Sequence, residues 1–128
     1  MDPKTGQIGW IDLTVPEAES LKAFYSRVVG WTSQPVDMGG YHDHCMVPPG
    51  AEVPVAGICH ARGDNAALPA QWLIYITVDN LDESLRTCRE LGGSAITPIR
   101  EYGNGRFVII RDPAGAVCAL YQNGPAEF

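Results

Sequence analysis

The sequence lacks the features that mark membrane, secreted and nucleic-acid-binding proteins. Its apolar runs all fall short of the roughly 20 residues that a membrane-spanning helix needs. Its nine basic residues are scattered and are outnumbered by 15 acidic residues, so the net charge is −6, which argues against nucleic acid as a partner. Residues 1–7 are polar and contain no hydrophobic segment of the kind found in signal peptides. We therefore expect a cytoplasmic protein that binds neither nucleic acid nor a membrane.

Familiar catalytic and metal-binding motifs are also missing. The cysteines show no CxxC spacing, so we expect no zinc site from them and interpret all four as small apolar residues (Cys45, Cys59, Cys88 and Cys118). Glycine is never followed directly by lysine, which excludes the phosphate-binding loop that requires this pair. Neither serine nor cysteine lies in a nucleophile elbow, so the sequence assigns no catalytic residue.

One pattern of predicted elements occurs twice in the chain. Ile8–Val15 alternates as a strand does, and the helix that follows it ends at Gly30. At an offset of about 63 residues, measured from Val15 to Val78, a second strand over Trp72–Val78 precedes a second helix. A fixed internal offset of this kind indicates a duplicated module.

The second helix has a predicted cap, and each helix is followed by three more predicted strands. Asn80 with Glu83 forms a capping box, and Gly92 and Gly93 end the helix. The further strands are Thr32–Val36, Tyr41–Val47 and Val53–His60 in the first half, and Ser94–Pro98, Arg106–Arg111 and Ala116–Gln122 in the second. The predicted class is α+β, with two tandem βαβββ modules forming a curved mixed sheet around a cleft. We assign residues 1–128 to a single domain, with modules over 7–62 and 70–124.

Two segments carry a resemblance to a known family. Residues 8–31, with Val15, Glu17, Phe24-Tyr25 and Gly30, are similar to the opening of a module of the vicinal oxygen chelate superfamily, which contains glyoxalases, bleomycin resistance proteins and dioxygenases. Gly103-Asn104-Gly105-Arg106-Phe107 and Asp112-Pro113-Ala114-Gly115 resemble the closing hairpin of such a module. The resemblance covers nearly the whole chain and implies the duplicated fold.

The same resemblance allows the superfamily's metal positions to be carried over. In its metal-dependent members, the first and last strands of each module supply the ligands, and these positions fall on Trp10, Gly57, Leu73 and Ala119. These residue types cannot donate to a metal through their side chains, so we expect neither a metal nor another cofactor. The pair His42 and His44 leaves an alternative open, because two histidines two apart on a strand share one face. We weigh a metal role for them against a solvated or hydrogen-bonded pair.

The mixed faces of the two first strands provide the candidate binding residues. Asp12 and Tyr75 occupy equivalent positions in the two modules and are expected to face the cleft. Asp12 is interpreted as a hydrogen-bond acceptor for a ligand, a general base, a partner of Arg106 or Arg111, or a purely structural carboxylate. The full candidate set for substrate binding is Trp10, Asp12, Thr14, His44, Tyr75, Thr77 and Tyr121. This aromatic and hydroxyl lining suits a planar or amphipathic small molecule.

Three functions compete at this level. The first is a metal-independent protein that binds a small-molecule ligand in the cleft, similar to the drug-sequestering branch of the superfamily. The second is a lyase, isomerase or dioxygenase that uses a rebuilt metal site or Asp12 and Tyr75. The third is a non-catalytic regulatory or interaction module. The resemblance also implies a homodimer, because two-fold pairing is the usual symmetric arrangement.

Overall fold

The computed structural model describes residues 3–124, and these form two compact units. One unit is Trp10–Trp72, and the other comprises residues 3–9 and 73–124. Each unit combines one α-helix with a sheet of parallel and antiparallel strands, so the α+β class is confirmed. Among the described residues, no helix is long and apolar enough to cross a membrane.

The first unit is a helix packed on a mixed four-stranded sheet. Its elements are β1 (Ile8–Val15, from residue 10 onward in this unit), α1 (Ala18–Val29), β2 (Thr32–Asp37), β3 (His42–Val47) and β4 (Ala56–His60). The strand order is β2-β3-β4-β1, in which β1 and β4 run parallel and the other neighbours run antiparallel. The crossover from β1 through α1 therefore places the helix against the sheet.

The core of this unit lies between α1 and one face of its sheet. Leu13 and Val15 of β1 are buried there with Ala18 at the start of the helix. Strand side chains alternate between faces, so the neighbours of these residues in β1 must lie on the other face. The helix ends at Gly30, whose φ of 81° is left-handed and whose N–H donates to the carbonyl of Ser26.

The second unit has the same plan with one more strand. Its elements are β5 (Trp72–Thr77, from residue 73 onward in this unit), α2 (Leu81–Glu90), β6 (Ser94–Ala95), β7 (Arg100–Tyr102), β8 (Gly105–Arg111) and β9 (Val117–Gln122). The order is β5-β9-β8-β6, and β7 also pairs with β8. Strands β5 and β9 run parallel, as β1 and β4 do in the first unit. The core forms under α2 from Leu81, Leu85, Val108, Ile110 and Leu120.

Two predicted strands differ from the structure by more than one residue at an end. Strand β4 begins at Ala56 rather than at Val53, because Pro54 has no N–H to extend the ladder. The strand predicted over Ser94–Pro98 stops at Ala95 and resumes as β7. The ladder is interrupted where the hydroxyl of Thr97 accepts the hydrogen bond of the Ile109 N–H, a role that a strand carbonyl would otherwise fill. The segment between the two predicted modules, residues 63–69, contains a short 3₁₀ turn, Gly63–Asn65.

The cap of α2 gives a direct test of the second unit. The Asn80 side chain accepts a hydrogen bond from the backbone N–H of Glu83 at 3.1 Å, as the sequence predicted. We expect Asn80→Ala to lower the free energy of unfolding by about 1 kcal/mol, because the first turn loses its side-chain acceptor. Urea unfolding followed by circular dichroism measures this. Thr87→Ala, at an exposed position of the same helix, is the control and should be neutral or slightly stabilising. An equal loss in both variants would contradict the assigned cap.

Candidate functional site

The face of the first unit that points away from α1 carries three of the predicted binding residues. Trp10, Asp12 and Thr14 alternate with the buried Leu13 and Val15, so they lie on this face. In the register of β1 with β4, Asp12 is opposite Gly57 and Thr14 is opposite Cys59. Trp10 and Asp12 are half-buried, whereas Thr14 is buried.

A hydrogen bond between side chains organises this face. The indole Nε1 of Trp10 donates to the Oδ1 of Asp12 at 2.6 Å. The contact is made beside Gly57, where a Cβ would overlap Asp12 Oδ1 and would lie 3.4 Å from Trp10 Nε1. Because residue 57 has no side chain, the Asp12 carboxylate and the Trp10 indole nitrogen can occupy the space beside it.

This arrangement does not fit the metal that the superfamily resemblance implies. At the position of one ligand there is a glycine, and its space is filled by a carboxylate that is already bonded to an indole N–H. Leu73 and Ala119, at two further ligand positions, are apolar and fully buried. Within residues 3–124, no group of three or more His, Cys, Asp or Glu side chains is placed to hold a metal ion. We therefore derive no chemistry through a metal.

The cysteines on the same face are poor nucleophiles. Cys45 and Cys59 both lie on the face of Asp12, as the strand register shows. Burial, followed by the negative charge of Asp12, raises the pKa of each thiol. The thiolate is the reactive form, so thiols with a raised pKa are largely inert at neutral pH.

His44 lies on the opposite face of this sheet, toward α1. It pairs with Ile58 of the helix-side core, and its Nε2 is 2.6 Å from Oε2 of Glu19 in α1. The Nε2 of His60 lies 3.8 Å from the same oxygen, and its Nδ1 lies 3.3 Å from Oδ1 of Asp43. His42 shares this face because it is two residues from His44, and it is exposed. The structure therefore groups His44 and His60 with Glu19, and it places His44 on the face opposite to that of Asp12.

The second unit brings Tyr75, Thr77 and Tyr121 together on the face away from α2. Tyr75 is opposite Ala119, and Thr77 is opposite Tyr121. Phe107 of β8 is also in register with Tyr121, and its ring centroid is 5.9 Å from that of Tyr75. A Cβ at Gly105 would overlap the Tyr121 hydroxyl, so this glycine makes room for the phenol. Tyr75, Phe107 and Tyr121 are half-buried.

Thr77 also borders a shallow depression of the second unit. The depression measures about 290 Å³ and is lined by Pro3, Lys4, Thr5, Thr77, Val78, Asp79 and Asn123. The backbone of Thr77 is tied to the N-terminal segment, because the Gly6 N–H donates to the Thr77 carbonyl at 2.7 Å. Thr77 itself is buried.

Two residues of the second unit's face were not found by sequence reasoning. Phe107 was placed in the predicted strand Arg106–Arg111 and in the closing hairpin but was not included among the binding residues, although alternation along that strand would have placed it on one face with Tyr121. The sequence did not indicate Arg100 as a binding residue because its strand, β7, was not predicted. Its guanidinium carbon lies 4.7 Å from the ring centroid of Phe107. Arg106, a partner considered for Asp12, instead forms a two-pronged ion pair with Asp82, with N–O distances of 3.0 and 3.2 Å.

Comparison with known proteins assigns the family. The sequence model of the Glyoxalase/Bleomycin resistance protein/Dioxygenase superfamily matches residues 7–120. The chain belongs to this superfamily. The resemblance noted in the sequence is therefore confirmed, and so is the expected glyoxalase-like fold.

Relatives within the superfamily have varied names. The chain is 31% identical to the anthracycline biosynthesis protein DnrV of Streptomyces peucetius over 134 residues, which is 95% of this chain and 49% of that protein. It thus spans about half the length of this curated relative. Among solved structures, it resembles methylmalonyl-CoA epimerase from Mycobacterium tuberculosis, with a TM-score of 0.54, 17% identity, and coverage of 96% of this chain and 93% of that one. A superfamily member from Vibrio splendidus 12B01 gives a TM-score of 0.60 at 10% identity, covering 93% of this chain and all of that one. At these identities the two structures show the fold alone.

Gly57 is the position at which the Trp10–Asp12 arrangement can be tested. We expect Gly57→Ala to destabilise the protein by about 1–3 kcal/mol, because the new methyl group forces the Asp12 carboxylate to move. The indole N–H resonance of Trp10 should shift in the same variant, since the hydrogen bond must lengthen. Urea unfolding and NMR measure the two effects.

A double-mutant cycle supplies the control for this prediction. In an Asp12→Ala background the obstructing carboxylate is gone, so Gly57→Ala should cost clearly less than it does in the natural sequence. Equal costs in the two backgrounds would show that the alanine methyl group does not meet Asp12.

The contact of Glu19 with His44 predicts a dependence of stability on pH. The hydrogen bond from His44 holds the pKa of the Glu19 carboxyl below its ordinary value, and Lys22 contributes in the same direction. A lowered pKa in the folded state adds stability above the pKa of the unfolded state, and this stability is lost as the pH falls through the folded value. Glu19 is 59% exposed, so the effect should stay below about 1 kcal/mol.

We therefore expect Glu19→Gln to be less stable than the natural protein at pH 7. The difference should shrink as the pH falls below the ordinary glutamate pKa of about 4.3 and should vanish below the lowered pKa of the folded state. Urea unfolding over a pH series measures it, with Glu52→Gln in an exposed loop as the control. A difference that persists unchanged at low pH would mean that the carboxylate charge is not its source.

Proposed function

We propose that this chain is a small-molecule binding module of the superfamily that works without a metal ion. The observation that carries the proposal is the Trp10–Asp12 hydrogen bond beside Gly57. At the position where a metal-dependent member has a ligand side chain, this chain has Gly57, and the Asp12 carboxylate, bonded to the Trp10 indole, fills the space beside it. Binding needs only complementary surfaces, so this loss of metal-ligating side chains does no harm to a binding protein.

In each unit by itself, the side chains on the face away from the helix suit a planar ligand with polar edges. In the first unit these are the indole of Trp10 and the carboxylate of Asp12, and in the second unit they are three half-buried aromatic rings. Aromatic side chains provide large contact area for flat molecules, and their polar atoms fix the orientation. One relative is named for anthracycline biosynthesis, and anthracyclines are planar and amphipathic. The proposal includes a cytoplasmic homodimer.

The binding proposal is tested with doxorubicin, a fluorescent anthracycline. We expect EDTA-treated protein to bind it saturably in isothermal titration calorimetry, and Trp10→Phe to weaken the affinity by about three- to tenfold, because a ring contact and the hold on Asp12 are both lost. Trp31→Phe is the matched control, since Trp31 packs on the helix side of the first unit and should leave the affinity unchanged.

Metal titrations complete this test. Ni²⁺, Zn²⁺, Fe²⁺ and Mn²⁺ should show no stoichiometric binding to the protein. Tight one-to-one binding of any of them, abolished by His42→Ala with His44→Ala, would overturn the metal-independent function. An unchanged doxorubicin affinity in Trp10→Phe would remove Trp10 from the site, and a lack of saturable binding by the natural protein would count against the function itself.

A further inference from the structure

The second unit holds a cationic group directly over an aromatic ring. Arg100 of β7 is in register with Phe107 of β8, so both side chains lie on the face away from α2. The guanidinium carbon is 4.7 Å from the ring centroid, within the range of an attractive cation–π contact. This contact holds the flat guanidinium group in a fixed orientation on the surface of the sheet.

The same ring is surrounded by phenol side chains. Tyr75 lies 5.9 Å from Phe107 between ring centroids, and Tyr121 is in register with Phe107 on the next strand. The Tyr121 hydroxyl occupies the space left by Gly105. One face of the second unit therefore combines a guanidinium group, two hydroxyl groups and a flat apolar ring, and all of these side chains are half-buried.

A nearby arginine shows the contrast. Arg106 precedes Phe107 in β8, lies on the opposite face, and has its guanidinium engaged by both carboxylate oxygens of Asp82. That pair is at the surface, with the Asp82 side chain 67% exposed. Arg106 thus carries the same charge one residue away without facing the aromatic rings.

We propose that the face formed by Arg100, Tyr75, Phe107 and Tyr121 recognises the anionic group of a planar aromatic ligand, such as an aromatic carboxylate. This rests on the proposed binding function and names the chemistry that the ligand must carry. The guanidinium has five N–H donors in a rigid fork, so it can pair two of them with an oxyanion while others serve protein acceptors. The ligand ring would pack beside Phe107, and the phenol hydroxyls would donate to the remaining lone pairs of the anion's oxygen atoms.

The test compares two probes of the same shape that differ in charge. 2-Naphthoate is an anion, and 2-naphthamide is its neutral isostere. By isothermal titration calorimetry, the natural protein should bind naphthoate about tenfold more tightly than naphthamide, which is the scale of a hydrogen bond to a charged group. The preference should weaken at high salt, because the guanidinium is only half-buried.

Three variants test whether Arg100 is the source of that preference. Arg100→Gln should abolish it and leave naphthamide binding nearly unchanged, whereas Arg106→Gln should keep it, since the same charge is lost on the other face. Arg100→Lys keeps the charge without the fork and should retain part of the preference. Thermal melts confirm that each variant is folded.

A measurement on the natural protein guards against an unfolded Arg100→Gln variant. The Nε–H resonance of Arg100 should shift on titration with naphthoate and stay nearly constant with naphthamide. If both probes bind equally, or if Arg100→Gln keeps the preference, the anion site is wrong while the binding function stands. If neither probe binds and doxorubicin also fails to bind, the binding function and the anion site fall together.

Discussion

Alternate side chains of a strand point to opposite faces of its sheet, and in each unit the helix packs on one of those faces. Leu13 and Val15 are buried against α1, which leaves Trp10, Asp12 and Thr14 on the far face. In the second unit, the same alternation packs Val108 and Ile110 against α2 and leaves Phe107 on the far face. The candidate binding side chains therefore lie on the faces away from the helices, because the apolar side chains of each strand pack against the helix. A shift of one residue in register would bury the polar groups instead.

Glycines shape those far faces as much as the polar residues do. At residue 57 the absence of a side chain admits a carboxylate and an indole nitrogen, and at residue 105 it admits a phenol hydroxyl. In both units a glycine on one strand thus makes room for a larger polar side chain from another. At residue 57 the side chain that fills this space is a carboxylate already bonded to the Trp10 indole N–H, and at residue 105 it is the phenol of Tyr121.

The scaffold by itself assigns no reaction. The superfamily includes proteins with different functions on one fold, and the solved structures compared here are related to this chain only at that level. The side chains that any assignment must explain are the inert thiols near Asp12, the histidines turned toward α1, and the guanidinium stacked on Phe107. The proposed function rests on the rings, hydroxyls and charge of the faces away from the helices.

The sequence by itself determined the α+β class, the duplicated strand–helix pattern, the cap at Asn80 and the face of β1 that carries Asp12, because periodicity and capping are local properties of the chain. Only the tertiary structure decided which strands are neighbours. Strand register places Gly57 beside Asp12 and Arg100 over Phe107, and the packing of α1 places Glu19 beside His44. Local patterns carry no information on such pairings, because the neighbour of each strand is set by contacts between parts of the chain that are distant in sequence.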